Sequence, residues 1–107
     1  MLKIKFKKIE PFSKKTNETH FIGTSKASTS VIEKIFGEAK YIDSEYPNEI
    51  AVEFENGIIA TIYNKDKYAR LPWHVGGHDL RALVLVQLIT GEIDKKQGIV
   101  LMFQGRL

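Results

Sequence analysis

Residues 50–63 read IAVEFENGIIATIY, and this stretch decides the fold class. Apolar side chains alternate with small or acidic ones over 50–55, which predicts a strand with one side in water. The pair Asn56-Gly57 favours a type I′ turn, because both central residues of that turn need positive φ. Residues 58–63 are richer in apolar side chains and predict a more central return strand. The sequence therefore predicts a β-hairpin of 50–55 with 58–63.

Shorter strands are predicted on both sides of this hairpin. Residues 2–9 alternate apolar side chains with lysines, and residues 20–22 form a brief apolar run. Residues 71–75 can form another strand, since Pro72 suits a strand's first residues or an edge. The apolar run 99–103 predicts a late strand.

The first helix is predicted at about 30–36. Thr29 or Ser30 suits its N-cap, and Glu33 follows Ser30 at the spacing of a capping box. Gly37 suits the position just after the helix end.

The second helix is predicted at about 79–90, with Asp79 as its cap and Gly91 as its stop. Apolar residues spread around nearly its whole circumference, so it must be covered on all sides. A homo-oligomer would supply that cover, and the alternative is cover by the 99–103 strand within one chain. The β-branched residues within 82–89 leave a strand open as another interpretation.

Together these elements indicate an α+β fold, with two helices packed on one face of a mostly antiparallel sheet. A chain of 107 residues, 43% hydrophobic and 27% charged, suits a single domain over 1–107. Cysteine is absent, which excludes a disulfide framework and a thiol nucleophile. The net charge of +3 is mildly basic and excludes no partner class. The longest apolar stretch, 80–89, is too short to span a bilayer, so no membrane partner is expected.

Glycine-rich segments ahead of the two helices are the candidate ligand-binding corners. A helix N-terminus presents unpaired N–H groups, and glycine lets the backbone turn and approach an anion closely. If both corners lie at one end of the sheet, they can clamp one nucleotide-type anionic ligand. The ligand-free alternative is that the glycines only permit tight turns. The predicted binding residues are Gly23, Thr24, Ser25, Lys26, Trp73, His74, Gly76, Gly77, His78 and Arg81.

The sequence patterns for metal binding and for acid–base catalysis are weaker than the pattern for the glycine-rich corners. His74 and His78 have the spacing of zinc ligands on a helix, but the glycines between them argue against a helix, so no metal or cofactor is predicted. Glu49 is predicted in a loop and Glu53 on the wet side of a strand, where carboxylates are surface groups. No nucleophile-elbow motif is present, and no catalytic residue is predicted. Aromatic and charged residues interleave over 63–70, which suits nucleic-acid binding.

One spaced pattern connects the hairpin with both corners. The pattern is Phe21-x-Gly23-Thr24-Ser25, Phe36-Gly37, Phe54-x-Asn56-Gly57-x-x-Ala60-Thr61-Ile62-Tyr63 and Trp73-His74-x-Gly76-Gly77. Over about residues 20–90 it resembles small uncharacterised accessory proteins of tailed bacteriophages, for which no activity and no site residue are assigned. The resemblance implies action in the host cytoplasm by inhibiting an enzyme, blocking a defence complex or sequestering a small signal.

The predicted function is therefore a non-enzymatic binding protein that inhibits or sequesters a host component. The expected partner is a host protein or a small nucleotide-type ligand held at the glycine-rich corners, and a homo-oligomer is expected. Three alternatives stay open: a protein–protein inhibitor without a small ligand, a nucleic-acid-binding protein, and a small histidine-dependent hydrolase.

Overall fold

A computed structural model describes residues 4–11, 14–41, 48–66 and 72–104. Leu2 and Leu71, each predicted in a strand, therefore lie outside the described residues. So do residues 67–70 of the segment 63–70, in which aromatic and charged residues interleave. A short 3-10 helix at Lys14–Thr16 accompanies the main elements. These are β1 (Phe6–Ile9), β2 (His20–Ser25), α1 (Thr29–Phe36), β3 (Lys40–Tyr41), β4 (Asn48–Phe54), β5 (Ile59–Asn64), β6 (Trp73–Gly77), α2 (Arg81–Thr90) and α3 (Lys95–Gln104).

The strands form one sheet in which every described pairing is antiparallel, so the predicted α+β fold is confirmed. Their order is β1, β4, β5, β6, β2, and β3 pairs with β4 beyond the end of β1. Both segments that the sequence predicts as strands near 20–22 and 71–75 belong to the sheet, and they pair with each other as β2 and β6.

The central hairpin is confirmed, with a turn that differs from the prediction. The Phe54 N–H donates to the Ile58 carbonyl, and the Gly57 N–H donates to the Phe54 carbonyl. Gly57 has φ of 82°, whereas Asn56 has no positive φ. This geometry is a three-residue loop with one left-handed glycine, so the type I′ prediction is wrong.

Helix α1 begins at Thr29, and its N-cap is Ser28 rather than Thr29 or Ser30. The chain is still extended at Ser28, where its hydroxyl accepts a backbone N–H of the first turn. Ser30 lies inside the helix, so the predicted capping box of Ser30 with Glu33 is wrong. Glu33 has a role at the far end instead. Its carboxylate accepts the Ala39 N–H at 3.0 Å, beyond the other end of the helix.

Helix α2 is a helix throughout 81–90, which resolves the helix-or-strand alternative. The N-cap position is Leu80, which makes no side-chain cap hydrogen bond, so the prediction of Asp79 as the cap is wrong by one residue. The Asp79 carboxylate nevertheless accepts the Arg81 N–H at 2.8 Å, at the first residue of the helix. Gly91 ends the helix in the left-handed conformation, with φ of 81°, as the sequence predicts.

Residues 99–103 lie in helix α3, so the prediction of a late strand is wrong. Asp94 accounts for the difference, because its carboxylate accepts the Gln97 N–H at 2.7 Å in the first turn. Gly98 is buried against α2, where a side chain would overlap Leu88. A run of five apolar residues does not by itself distinguish a strand from a helix.

Helices α1 and α2 pack on one face of the sheet, as predicted, and α3 packs against α2. Cover for α2 therefore comes from the sheet, α1 and α3 within one chain, and the homo-oligomer stays a prediction. None of the described helices is long and apolar enough to cross a membrane. Core residues include Ile32, Phe36, Ile50, Val52, Ile62, Trp73, Val75, Ala82, Leu85 and Val86.

Candidate functional site

The double glycine Gly76-Gly77 lies inside a strand rather than in a turn. β6 pairs with β5 on one side and with β2 on the other, and both glycines belong to these ladders. A β-carbon on Gly76 would lie 2.5 Å from the Thr61 hydroxyl oxygen, and one on Gly77 would lie 2.8 Å from Ala82 Cβ. Packing therefore requires these glycines, and the prediction of a sharp glycine turn is wrong.

The corner between β2 and α1 already holds an anion, the carboxylate of Glu92. This carboxylate accepts hydrogen bonds from the Ser25 hydroxyl, the Lys26 N–H and the Thr90 hydroxyl, each at 2.5 Å. Ser25 is fully buried, whereas Lys26 is exposed. The predicted corner is thus suited to a carboxylate, and the chain supplies one.

The two predicted corners run antiparallel to each other in β2 and β6, so the ends that lead into α1 and α2 lie at opposite ends of this strand pair. Ser25 is opposite Trp73 at one end, and His20 is opposite Gly77 at the other. Gly23 and Thr24 lie between these ends in β2. This strand register therefore does not support the prediction that both corners clamp a single ligand.

Trp73 is fully buried and points into the core, so it is not available to stack on a ligand. Its indole N–H donates to the Thr29 hydroxyl at 3.1 Å, which connects β6 to the start of α1. The aromatic residue predicted to recognise a base or sugar is a core residue instead.

His74 lies on the outer face of the sheet, which is the face away from α1 and α2. Its ring is 5.2 Å from the Phe21 ring and 5.3 Å from the Tyr63 ring, with edge-on geometry in both cases. We call these three residues the aromatic row. Gly76 lies beside it on the same face, since a β-carbon there would lie 3.4 Å from Tyr63 Cε1.

Glu49 lies on the same face, next to the aromatic row. It is directly opposite Tyr63 in the register of β4 and β5, so the prediction that it belongs to a loop is wrong. Burial raises the pKa of its carboxyl, and nothing in the described part of the chain donates a hydrogen bond to it. Phe21, Tyr63 and Glu49 were missed as site residues because their shared position depends on strand register.

The other half of the outer face is covered by the 3-10 helix. Thr16 is buried, and the Lys15 ammonium reaches the Glu53 carboxylate at 2.6 Å. Lys7 approaches the same carboxylate at 3.6 Å, and hydrogen bonding from Lys15 lowers the pKa of Glu53. We call the remaining part of the outer face the aromatic half. It contains Phe21, Thr24, Glu49, Tyr63 and His74.

His78 and Arg81 lie together, beside the hairpin loop, in a shallow cavity of about 140 Å³. Arg81 is paired with Asp79, whose carboxylate is 2.9 Å from Nη2, and this hydrogen bonding lowers the pKa of Asp79. His78 Nε2 lies 3.2 Å from the Lys15 carbonyl oxygen. The cations predicted to attract a ligand here already have partners within the chain.

A helical zinc pair is excluded by the secondary structure, because His74 belongs to a strand and His78 to the bend that follows it. Among residues 4–11, 14–41, 48–66 and 72–104, no group of three or more His, Asp or Glu side chains is placed to hold a metal ion.

Comparison of the chain with protein-family models, with curated proteins and with solved structures gave no match.

Proposed function

We propose that the protein is a non-enzymatic binding protein that docks a host protein on the aromatic half of its outer sheet face. Phe21 carries the proposal, because 58% of this large apolar side chain is exposed on a strand surface. Exposed aromatic residues beside other rings are typical of protein contact surfaces. The resemblance to bacteriophage accessory proteins supports a host component as the partner, in the host cytoplasm.

The charge on this face favours a protein over a nucleic acid. Glu49 places a carboxylate beside the aromatic row, where it would repel a phosphate backbone. A nucleotide-type ligand at the Lys26 corner is the second version of the proposal. Such an anion would have to displace the Glu92 carboxylate, so we place surface docking first.

The experiment is photo-crosslinking in host cells with Phe21→p-benzoylphenylalanine. Val31→p-benzoylphenylalanine is the matched control, because Val31 is a 38% exposed apolar residue on α1, which packs on the opposite face. We expect one protein adduct from position 21 and none of the same mass from position 31. Tyr63→Ala in the same chain should abolish that adduct.

The result that overturns docking is an equal adduct pattern from positions 21 and 31. An adduct with a second copy of the chain would identify this face as a homo-oligomer interface instead. A thermal shift of the purified protein with nucleotides, without a position-specific adduct, would favour the nucleotide-type ligand. A salt-sensitive mobility shift with DNA or RNA would favour nucleic-acid binding.

A further inference from the structure

Glu49 is a half-buried carboxylate without a partner among the residues that the structure describes. Two other carboxylates differ in this respect, since Glu53 of β4 binds Lys15 and Lys7, and Glu10, just after β1, binds Lys40. A carboxylate that is partly removed from water and left unpaired destabilises the fold. The arrival of a cation at this position would compensate that cost.

The cation nearest in the register is already engaged. Lys40 is directly opposite Glu49 where β3 pairs with β4. Its ammonium, however, bonds both carboxylate oxygens of Glu10, at 2.7 and 2.6 Å. The chain therefore places a lysine beside Glu49 and directs its charge elsewhere.

We propose that Glu49 and Tyr63 form an anchor site for an arginine side chain of the docked protein. Directly opposed residues on antiparallel strands have β-carbons about 5 Å apart, so one group can contact both side chains. A guanidinium suits this pair, because it bonds a carboxylate through two N–H groups and packs against aromatic rings. His74 and Phe21 extend the aromatic surface beyond Tyr63 for the aliphatic part of the arginine.

This inference rests on the proposed function, and its test separates the two. The probe is N-acetyl-arginine amide, titrated into ¹⁵N-labelled protein and followed by NMR, with N-acetyl-citrulline amide as its neutral analogue. We expect the arginine probe to shift the amide signals of Glu49, Tyr63 and His74. The citrulline probe should need roughly tenfold higher concentration for the same shift, the change expected from one charge-assisted hydrogen bond.

Glu49→Gln should abolish the difference between the two probes, and Glu55→Gln is the matched control. Glu55 is an exposed carboxylate in the hairpin loop and lies outside the aromatic half. Equal shifts from both probes in the wild-type chain would overturn the arginine anchor, whether or not Glu49→Gln folds. If Glu49→Gln leaves the position-21 adduct unchanged while Tyr63→Ala removes it, docking stands and the anchor fails. If neither changes the adduct, docking on this face fails as well.

Discussion

The buried hydroxyl of Ser25 donates a hydrogen bond to the carboxylate of Glu92, 67 positions further along the chain. The same carboxylate accepts the Lys26 N–H and the Thr90 hydroxyl, so one side chain connects the β2–α1 corner to the end of α2. The β2–α1 corner, which the sequence predicts to bind an anion, does bind one, but this anion is the carboxylate of the chain's own Glu92.

Glu92→Ala is expected to destabilise the protein by about 1–3 kcal/mol, because it leaves the buried Ser25 hydroxyl without its acceptor. Glu92→Gln should cost less, since its amide can accept the Lys26 N–H and donate to the hydroxyls. Urea denaturation measures both, and Glu55→Ala is the control for loss of an exposed carboxylate. In a double-mutant cycle, Ser25→Ala and Glu92→Ala should be non-additive; additive effects would mean that the two side chains are not coupled.

Local sequence predicts the hairpin and both main helices because alternation, caps and turn residues act within a few positions. Gly57 and Gly91 are examples, since each needs a left-handed conformation that its own neighbours impose. Gly76 and Gly77 mislead because a glycine required by a distant side chain looks the same in a sequence as one required by a turn. Their neighbours Thr61 and Ala82 become known only with the strand register and helix packing.

The candidate site was harder to predict, because it is assembled from separate strands. Phe21, Tyr63 and Glu49 come together through the order β4, β5, β6, β2, which no local pattern contains. The sequence predicts His74 as a site residue of the glycine-rich corner ahead of α2. In the structure it lies in β6, beside the rings of Phe21 and Tyr63. Trp73 alternates with it along β6 and therefore faces the core.

Gly76→Ala is expected to destabilise the protein by about 1–3 kcal/mol, because its β-carbon would overlap the Thr61 hydroxyl. Thr61→Ala in the same chain should recover part of this loss by removing the overlapping atom. Denaturation midpoints of the wild type, both single variants and the double variant complete the cycle. If Thr61→Ala gives no recovery, the close contact with His20 carbonyl oxygen, 3.2 Å from the added carbon, is the dominant cause.

Glu49→Gln is expected to stabilise the protein at neutral pH, because it removes a half-buried charge whose pKa burial has raised. The folded state binds a proton at Glu49 more readily than the unfolded state does. The wild type therefore gains stability from this group as the pH falls through the raised pKa of Glu49, and the advantage of the variant should disappear in acid. Denaturation midpoints of both proteins from neutral to acidic pH measure this, and a constant difference would contradict the assigned cause.

Thr29→Ala is expected to cost about 1–3 kcal/mol, because the buried Trp73 indole N–H loses the hydroxyl that accepts its hydrogen bond at 3.1 Å. Thr29→Ser is the matched control, since it keeps the hydroxyl and should retain most of the stability. Trp73 is the only tryptophan in the chain and is fully buried, so its fluorescence reports unfolding directly. We expect blue-shifted emission and weak quenching by iodide in the folded state. Equal losses for the two variants would mean that the Thr29 methyl group, rather than its hydroxyl, supports Trp73.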